Sequence, residues 1–141
     1  MQVNGWELFA HPLLLEQLEK LMAAVEKAKA NAKKPDDYKS TAHFKLLAAL
    51  YDLMLVTVPA DPTRLEYRQG NTLGDDYKHW FGAKFGGQRF RLFFRYDSKA
   101  KVIVYAWVND EDSKRTYGSK TDAYAVFKKM RGTLPTTGRR F

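Results

Sequence analysis

One segment of this 141-residue chain concentrates side chains that recognise phosphate, and it reads QRFRLFFRY from Gln88 to Tyr96. Because side chains alternate across a β-strand, Arg89, Arg91 and Arg95 are predicted to share one face, together with Phe93. The opposite, core-facing set comprises Gln88, Phe90, Leu92, Phe94 and Tyr96. Arginine binds phosphate through paired hydrogen bonds and stays charged, so the row favours a polyanionic ligand. The alternative is an ordinary amphipathic strand with a solvated face.

Further candidate groups precede this strand. Lys84 lies across a predicted Gly86-Gly87 turn and is expected opposite the arginine row. Lys78 and His79 stand just before Trp80. A histidine here suits a general acid or base because it titrates near neutrality, and an ordinary surface position is the alternative.

A second dense group of polar side chains follows a predicted strand, from Trp107 to Asp122. Its candidate residues are Glu111, Arg115, Tyr117 and Lys120. Loops that leave rigid strands commonly carry function, which favours a role in the site. The alternative is a solvated loop that ends in a helix cap.

The positive charge of the chain is segregated. Residues 1–62 hold 7 basic and 8 acidic side chains, a net charge of −1, whereas residues 63–141 hold 17 basic and 8 acidic, a net of +9. Together they give the +8 of the whole chain. A segregated excess indicates a polyanionic partner, either nucleic acid or an acidic protein.

Composition excludes several classes of protein. The chain has no cysteine, so disulfides, thiolate catalysis and cysteine-ligated metals are excluded, and three scattered histidines offer no metal-ligand spacing. No metal or other cofactor is therefore expected. The longest apolar run, Leu46 to Val58, is interrupted by Asp52 and is too short for a membrane span. With no visible secretory signal at the start, a soluble cytoplasmic protein is expected.

The periodicity of the chain predicts an α+β fold. Apolar residues at steps of three and four predict a helix from about Pro12 to Ala32, and a second from Pro35 or Asp36 to Leu55. Together they form a helical hairpin. Predicted strands follow near His79–Phe85, Gln88–Tyr96 and Lys101–Val108, with a weaker one near Leu65–Gln69.

Tight turns between consecutive strands predict an antiparallel sheet of three to four strands. A C-terminal helix is expected from Thr121 to about Met130, ended by Gly132. Residues 1–132 thus form a single domain, and residues 133–141 are expected to be a mobile tail.

Four stretches of the chain resemble the YhaV toxins of bacterial type II toxin–antitoxin pairs, in the RelE/ParE superfamily. They are Val3-Asn4-Gly5-Trp6 with Ala10-His11-Pro12, Lys84-Phe85-Gly86 with Arg89 to Tyr96, Trp107 to Glu111, and Arg115 to Phe127. The resemblance runs from about residue 3 to residue 130. It implies a RelE-like fold, a ribonuclease that cleaves mRNA and halts growth, and a PrlF-type antitoxin. It further implies that the toxin–antitoxin complex binds operator DNA.

The resemblance to the wider superfamily also implies site residues. The sheet arginine of that group corresponds to Arg91, one of its two strand lysines to Lys84, and its late tyrosine to Tyr117. The place of the other lysine is taken by Gly82, and an arginine expected near Asp110-Glu111 is absent. Catalysis in that group uses basic residues and a tyrosine without a metal.

These groups suit attack of a ribose 2′-hydroxyl on the adjacent phosphate, which yields a 2′,3′-cyclic phosphate. The reaction needs a base, a cation for the developing charge, and an acid for the leaving 5′-oxygen. Arg91, helped by Arg89, is expected to stabilise charge, and Lys84 or Glu111 to act as base. The acid, or the group that orients the phosphate, is expected among Tyr117, Arg115 and Lys120. The RNA-binding set adds Arg95, Lys78 and His79.

Three alternative functions stay open at this point. A ParE-like gyrase inhibitor shares the fold but acts by binding protein. A non-catalytic nucleic-acid-binding module would use the same arginines without cleavage. A plain interaction domain would use the basic face only for an acidic antitoxin.

Overall fold

The chain begins with a β-hairpin that the sequence analysis did not predict. The computed structural model describes residues 1–68, 80–87, 89–109 and 139–140. Strands β1 (Gln2–Val3) and β2 (Trp6–Ala10) pair antiparallel around Asn4 and Gly5, whose φ angles are 51° and 83°. Asn-Gly favours this left-handed turn, so the signal was present in the sequence. It was missed because both strands are short.

Helix α1 (Pro12–Ala30) confirms the first predicted helix. It begins at His11, whose Nδ1 accepts a hydrogen bond from the Leu13 amide at 3.1 Å. Pro12 occupies the first turn, where a missing N–H costs nothing. The buried side of the helix carries Leu14, Leu18 and Val25, as its periodicity predicts.

The second helical region begins and ends later than predicted. A short 3₁₀ helix (Asp37–Ser40) precedes α2 (Ala42–Asp52), which starts at Thr41, whose hydroxyl accepts from the Phe44 amide at 3.3 Å. The helix then runs past the predicted end at Leu55, through a π-helical turn (Leu53–Thr57) into α3 (Val58–Ala60).

Pro59 accounts for the π-helical turn. In a regular α-helix its ring would collide with the carbonyl four residues earlier. Here the Val58 amide donates to Leu53 O, five residues back, and the next carbonyl, of Met54, faces a proline that has no N–H. The hydroxyl of Tyr105 fills that vacancy by donating to Met54 O at 2.6 Å. A residue of the sheet therefore satisfies the carbonyl that Pro59 leaves without a helical donor.

The continuous helix Ala42–Ala60 has 19 residues and a mean hydropathy of 1.3, so length and composition alone would allow it to cross a membrane. One such helix is weak evidence for a span, because core helices of soluble proteins pass the same test. Leu50, Leu53, Met54 and Val58 of this helix are each at most 6% exposed and belong to the hydrophobic core.

The sheet is mixed, where a purely antiparallel one was predicted. It contains β3 (Phe81–Phe85), β4 (Phe90–Asp97) and β5 (Val102–Asn109), in the order β1-β2-β5-β4-β3. β3, β4 and β5 are antiparallel neighbours as predicted, but β2 pairs parallel with β5. A parallel pair needs a long crossover between its strands, and the helical region supplies it. The α+β class and the helical hairpin are confirmed.

The weaker predicted strand near Leu65–Gln69 is wrong: Leu65–Tyr67 forms a 3₁₀ turn, and only Arg68 makes an isolated bridge, to Phe81. Strand β6 (Arg139–Arg140) pairs antiparallel with β2. The predicted C-terminal helix and residues 133–138 of the tail lie outside the described residues. The domain limits stay a prediction.

The core lies between the helices and one face of the sheet. Its central side chains come from β2, α1, the π-helical turn and the three long strands. They include Leu8, Leu14, Met54, Leu92, Phe94, Ile103 and Tyr105, each with no exposed surface. This packing fixes one face of β4 and thereby decides which side chains project from the other.

Candidate nucleic-acid interface

Strand β4 alternates as predicted over its described residues. Leu92 and Phe94 are fully buried in the main core, and Tyr96 packs against it while partly buried. Phe90 is half-buried and stacks on Phe85 with ring centroids 5.5 Å apart. Gln88, the fifth member of the predicted core set, lies outside the described residues. Arg91, Phe93 and Arg95 therefore project from the opposite face.

That opposite face is not simply solvated. Phe93 is fully buried, and so are Ala106 (0% exposed), Val104 (2%) and Trp80 (3%), none of which belongs to the main core. A β-bulge adds a residue to this face, because Phe93 pairs with Trp107 but Phe94 pairs with Tyr105, which leaves Ala106 as an extra residue in β5. The arginines thus flank a second apolar layer, and the interpretation of a plain solvated strand is wrong at this point.

Lys84 and Arg91 are direct cross-strand neighbours on this face. The register of β3 and β4 pairs Lys84 with Arg91, and that of β4 and β5 pairs Arg91 with Asn109. Side chains of such pairs start about 4.5–5.5 Å apart, and like charges placed this way repel each other. Lys84 is exposed and Arg91 half-buried. The predicted proximity of Lys84 to the arginine row is confirmed.

The turn between β3 and β4 holds this register. Gly86 and Gly87 have φ angles of 61° and 66°, which favour glycine, and the Arg89 amide donates to Gly86 O at 3.3 Å. A Cβ on Gly86 would lie 2.8 Å from Cδ2 of Phe90, whereas one on Gly87 would meet no atom within 4 Å. The predicted turn is therefore confirmed. Arg89 lies exposed within it, at the start of the arginine row.

Arg95 has different surroundings from Arg91. Its guanidinium lies over the ring of Trp80, 5.1 Å from the centroid. Burial lowers the pKa of Arg95, although the group stays charged at neutral pH. Arg95 lies four positions after Arg91, about 13 Å along the strand. The structure therefore brings Lys84 and Arg91 together but places Arg95 in a separate, aromatic setting.

The remaining predicted site residues lie outside the described residues: Lys78, His79, Glu111, Arg115, Tyr117 and Lys120. The strand that leads to the last four is held by a residue that the sequence analysis missed. Gln17 of α1 donates from Nε2 to Val108 O at 3.0 Å and accepts from the Val108 amide at 3.0 Å. The Gln17 side chain thus bonds the backbone of β5 beyond the point where β2 ends. No local sequence pattern marks Gln17, because its partner is 91 residues away.

A metal centre finds no support in the described part of the chain, where no three His, Asp or Glu side chains are grouped closely enough to hold an ion. The candidate groups that the structure brings together, Lys84 and Arg91, are both cations. Arg91 offers a planar pair of N–H donors and Lys84 a compact ammonium, both of which suit a phosphate.

An α+β domain with a lysine–arginine pair on one sheet face, in a chain of net charge +8, is typical of a small protein that binds a polyanion. The chain belongs to the YhaV toxin family: residues 8–138 match the family described as a toxin with endonuclease activity, of toxin-antitoxin system. The predicted family and enzyme class, an endonuclease toxin with an antitoxin as partner, are confirmed. The three alternative functions find no support.

Curated relatives agree with this assignment. The chain is 46% identical over 130 residues to the ribonuclease toxin YhaV of Escherichia coli (strain K12). The aligned residues cover 92% of this chain and 83% of the relative. The toxins YhaV of Escherichia coli O157:H7 and of Escherichia coli O6:H1 (strain CFT073) show the same identity and coverage. No solved structure matched the chain significantly.

Proposed function

We propose that this protein is a cytoplasmic endoribonuclease that cleaves mRNA without a metal ion. The observation that carries the proposal is the Lys84–Arg91 pair, which sets two cations side by side on one face of the sheet. The relative from Escherichia coli K12 is called a ribonuclease toxin, which supports RNA as the substrate. The net charge of +9 over residues 63–141 supports binding along a phosphate backbone.

The proposed reaction is an internal transfer at one phosphate. The ribose 2′-oxygen attacks the adjacent phosphorus while a base takes its proton. The bond from phosphorus to the 5′-oxygen breaks, and an acid protonates that oxygen. The products are a 2′,3′-cyclic phosphate and a free 5′-hydroxyl, so no water, oxidant or metal enters the step.

Arg91 is proposed to stabilise the charge that develops on the phosphoryl oxygens. Its half-buried position on a paired strand limits its freedom, and preorganised donors are worth more than mobile ones. Arg89, exposed in the adjoining turn, adds a second guanidinium to the same phosphate or its neighbour. Lys84 contacts the phosphate from the neighbouring strand.

The remaining roles are assigned by chemistry. Lys84 or Glu111 is proposed as the base for the 2′-hydroxyl. Tyr117, Arg115 or Lys120 is proposed to orient the phosphate or to protonate the leaving oxygen. Three further residues, Arg95, Lys78 and His79, are proposed to contact the RNA away from the reacting phosphate.

The antitoxin is proposed to be of the PrlF type and to bind over the basic face. Carboxylates of such a partner would pair with the same lysine and arginine groups that hold RNA, so inhibition would follow from occlusion. The toxin–antitoxin complex is further proposed to bind its operator DNA.

The test is to incubate the purified chain with end-labelled mRNA, with and without EDTA, and to analyse the fragment ends. Cleavage that survives EDTA and leaves 2′,3′-cyclic phosphates is expected, and an RNA with a 2′-O-methyl group at the cleaved position should resist. Loss of cleavage on chelation, restored by Mg²⁺, would overturn the metal-free mechanism. Cleavage of the 2′-O-methyl RNA would overturn attack by the 2′-hydroxyl.

A second measurement addresses the antitoxin. RNA affinity should fall steeply with salt, because several cations displace counterions from the phosphates, and adding antitoxin should release the RNA. A ternary complex that retains its full RNA affinity would contradict occlusion.

A further inference from the structure

A polar cavity lies beside the candidate site, next to strand β3. Its volume is about 350 Å³. Segment 64–68 forms one wall, through the contact of Arg68 with Phe81 and the 3₁₀ turn that precedes it. The described residues that line the cavity are Leu53, Thr57, Arg64, Glu66, Tyr67 and Lys84. The mechanism above uses only Lys84 among them.

The backbone around Arg64 is held on both sides. Before it, Asp61 Oδ1 accepts from the Thr63 amide at 3.0 Å, and hydrogen bonds from Thr63 lower the pKa of Asp61. After it, the Tyr67 amide donates to Arg64 O at 3.1 Å. Tyr67 is buried and packs edge-on against Phe94, with ring centroids 5.5 Å apart. Arg64 therefore has a defined position relative to β4.

The charges of the cavity favour an anion. Among the described lining residues, Arg64 and Lys84 provide two cations and Glu66 one carboxylate. The nearest atoms of Arg64 and Glu66 are 3.8 Å apart, and their side chains are 44% and 69% exposed. Exposed ion pairs of this kind contribute little free energy, so a phosphate can compete with the carboxylate for the guanidinium.

The opposite wall is built by the π-helical turn. Leu53 and Thr57 are its first and last residues, and both line the cavity. The wider π turn lets the helix reach Ala60 despite Pro59, and so it also shapes this wall. Single π turns inside helices are frequent at functional sites, so the position of this turn beside a cationic cavity supports a functional role for the cavity.

We propose that this cavity binds a nucleotide of the RNA that neighbours the one held at Lys84 and Arg91, with Arg64 contacting its phosphate. Lys84 belongs both to the cross-strand pair and to the cavity lining, and its strand β3 ends the strand order of the sheet. RNA that passes around this edge would therefore contact Arg91 on one side and the cavity on the other. The inference rests on the proposed function, because it takes the ligand at Lys84 and Arg91 to be RNA.

The experiment compares two uncleavable 2′-O-methyl RNAs, a dinucleotide and an octanucleotide that contains it. Arg64→Gln should weaken binding of the octanucleotide roughly tenfold, the worth of one charge-assisted hydrogen-bonded contact. It should leave the dinucleotide unaffected and reduce the slope of log affinity against log salt by about 0.7 for the octanucleotide. Arg64→Lys, which keeps the charge, should restore part of the affinity.

Lys99→Gln is the matched control, since it removes one exposed positive charge in the turn at the far end of β4. Thermal melting of each variant confirms that it is folded. If Arg64→Gln binds the octanucleotide like Lys99→Gln while Arg91→Ala loses both RNAs, the cavity inference is overturned and the proposed function stands. If Arg91→Ala also binds both RNAs normally, the proposed function itself fails.

Discussion

Arg91 and Arg95 are the same residue type on the same face of the same strand, four positions apart, yet their surroundings differ. Arg91 pairs across the strands with Lys84, whereas Arg95 stacks over Trp80. The first arrangement places two positive side chains next to each other on one face of the sheet. In the second arrangement, the Arg95 guanidinium lies on the face of the Trp80 ring, where cation–π attraction stabilises the fold. An arginine row in a sequence therefore does not define one uniform binding surface.

The largest expected effect is on the rate of RNA cleavage, which should depend on Arg91 much more than on Arg95. Arg91→Ala should reduce the rate of RNA cleavage about 10²-fold or more, because it removes a charge aimed at the transition state. Arg95→Ala should reduce it far less. Single-turnover cleavage rates measure both, and the melting temperature checks that each variant is folded. Equal losses for the two variants would break the distinction.

The next prediction concerns the turn that places Lys84 opposite Arg91. Gly86→Ala should destabilise the protein by about 2 kcal/mol, from the unfavourable positive φ and the contact of the new Cβ with the Phe90 ring at 2.8 Å. Gly87→Ala is the control, because it shares the positive φ but meets no neighbour within 4 Å, and it should cost about 1 kcal/mol. Urea unfolding gives both free energies. Identical losses would mean that the Phe90 ring moves aside freely.

A smaller effect is expected at Lys84. Lys84→Gln should weaken binding of an uncleavable RNA roughly tenfold and lower the salt slope by about 0.7, the share of one phosphate contact on a single strand. Lys99→Gln, at the opposite end of β4, should change neither quantity beyond the general effect of one charge. RNA affinities of both variants, measured at several salt concentrations, give the two quantities. An unchanged slope would place Lys84 away from the phosphates.

The smallest expected effect is on stability at Arg95. Arg95→Gln should lower the free energy of unfolding by about 1 kcal/mol, the loss of a partly buried cation–π contact. Its effect on RNA affinity should be weaker than that of Lys84→Gln. Urea unfolding and RNA titration of the same variant provide the two numbers. A large loss of affinity with unchanged stability would show that Arg95 belongs with Arg91 after all.

Local patterns in the sequence determined much of the fold. The steps of three and four along Pro12–Ala30 predicted α1, because one helical face must be apolar to be buried. Alternation along β4 and the paired glycines at 86 and 87 predicted that Lys84 and Arg91 would be neighbours, since a tight turn leaves few possible registers. The segregated positive charge indicated a polyanionic partner. All of these signals act between residues close in the chain.

Only the tertiary structure decided the features that join distant residues. The parallel pairing of β2 with β5 depends on segments about a hundred residues apart, and the Met54 carbonyl next to the proline receives its hydrogen bond from the distant hydroxyl of Tyr105. The bulge at Ala106 and the burial of Phe93 in a second apolar layer depend on how β5 and other parts of the chain pack beside β4. These contacts are chosen by packing and hydrogen-bond satisfaction in three dimensions, and no periodicity in the sequence encodes them.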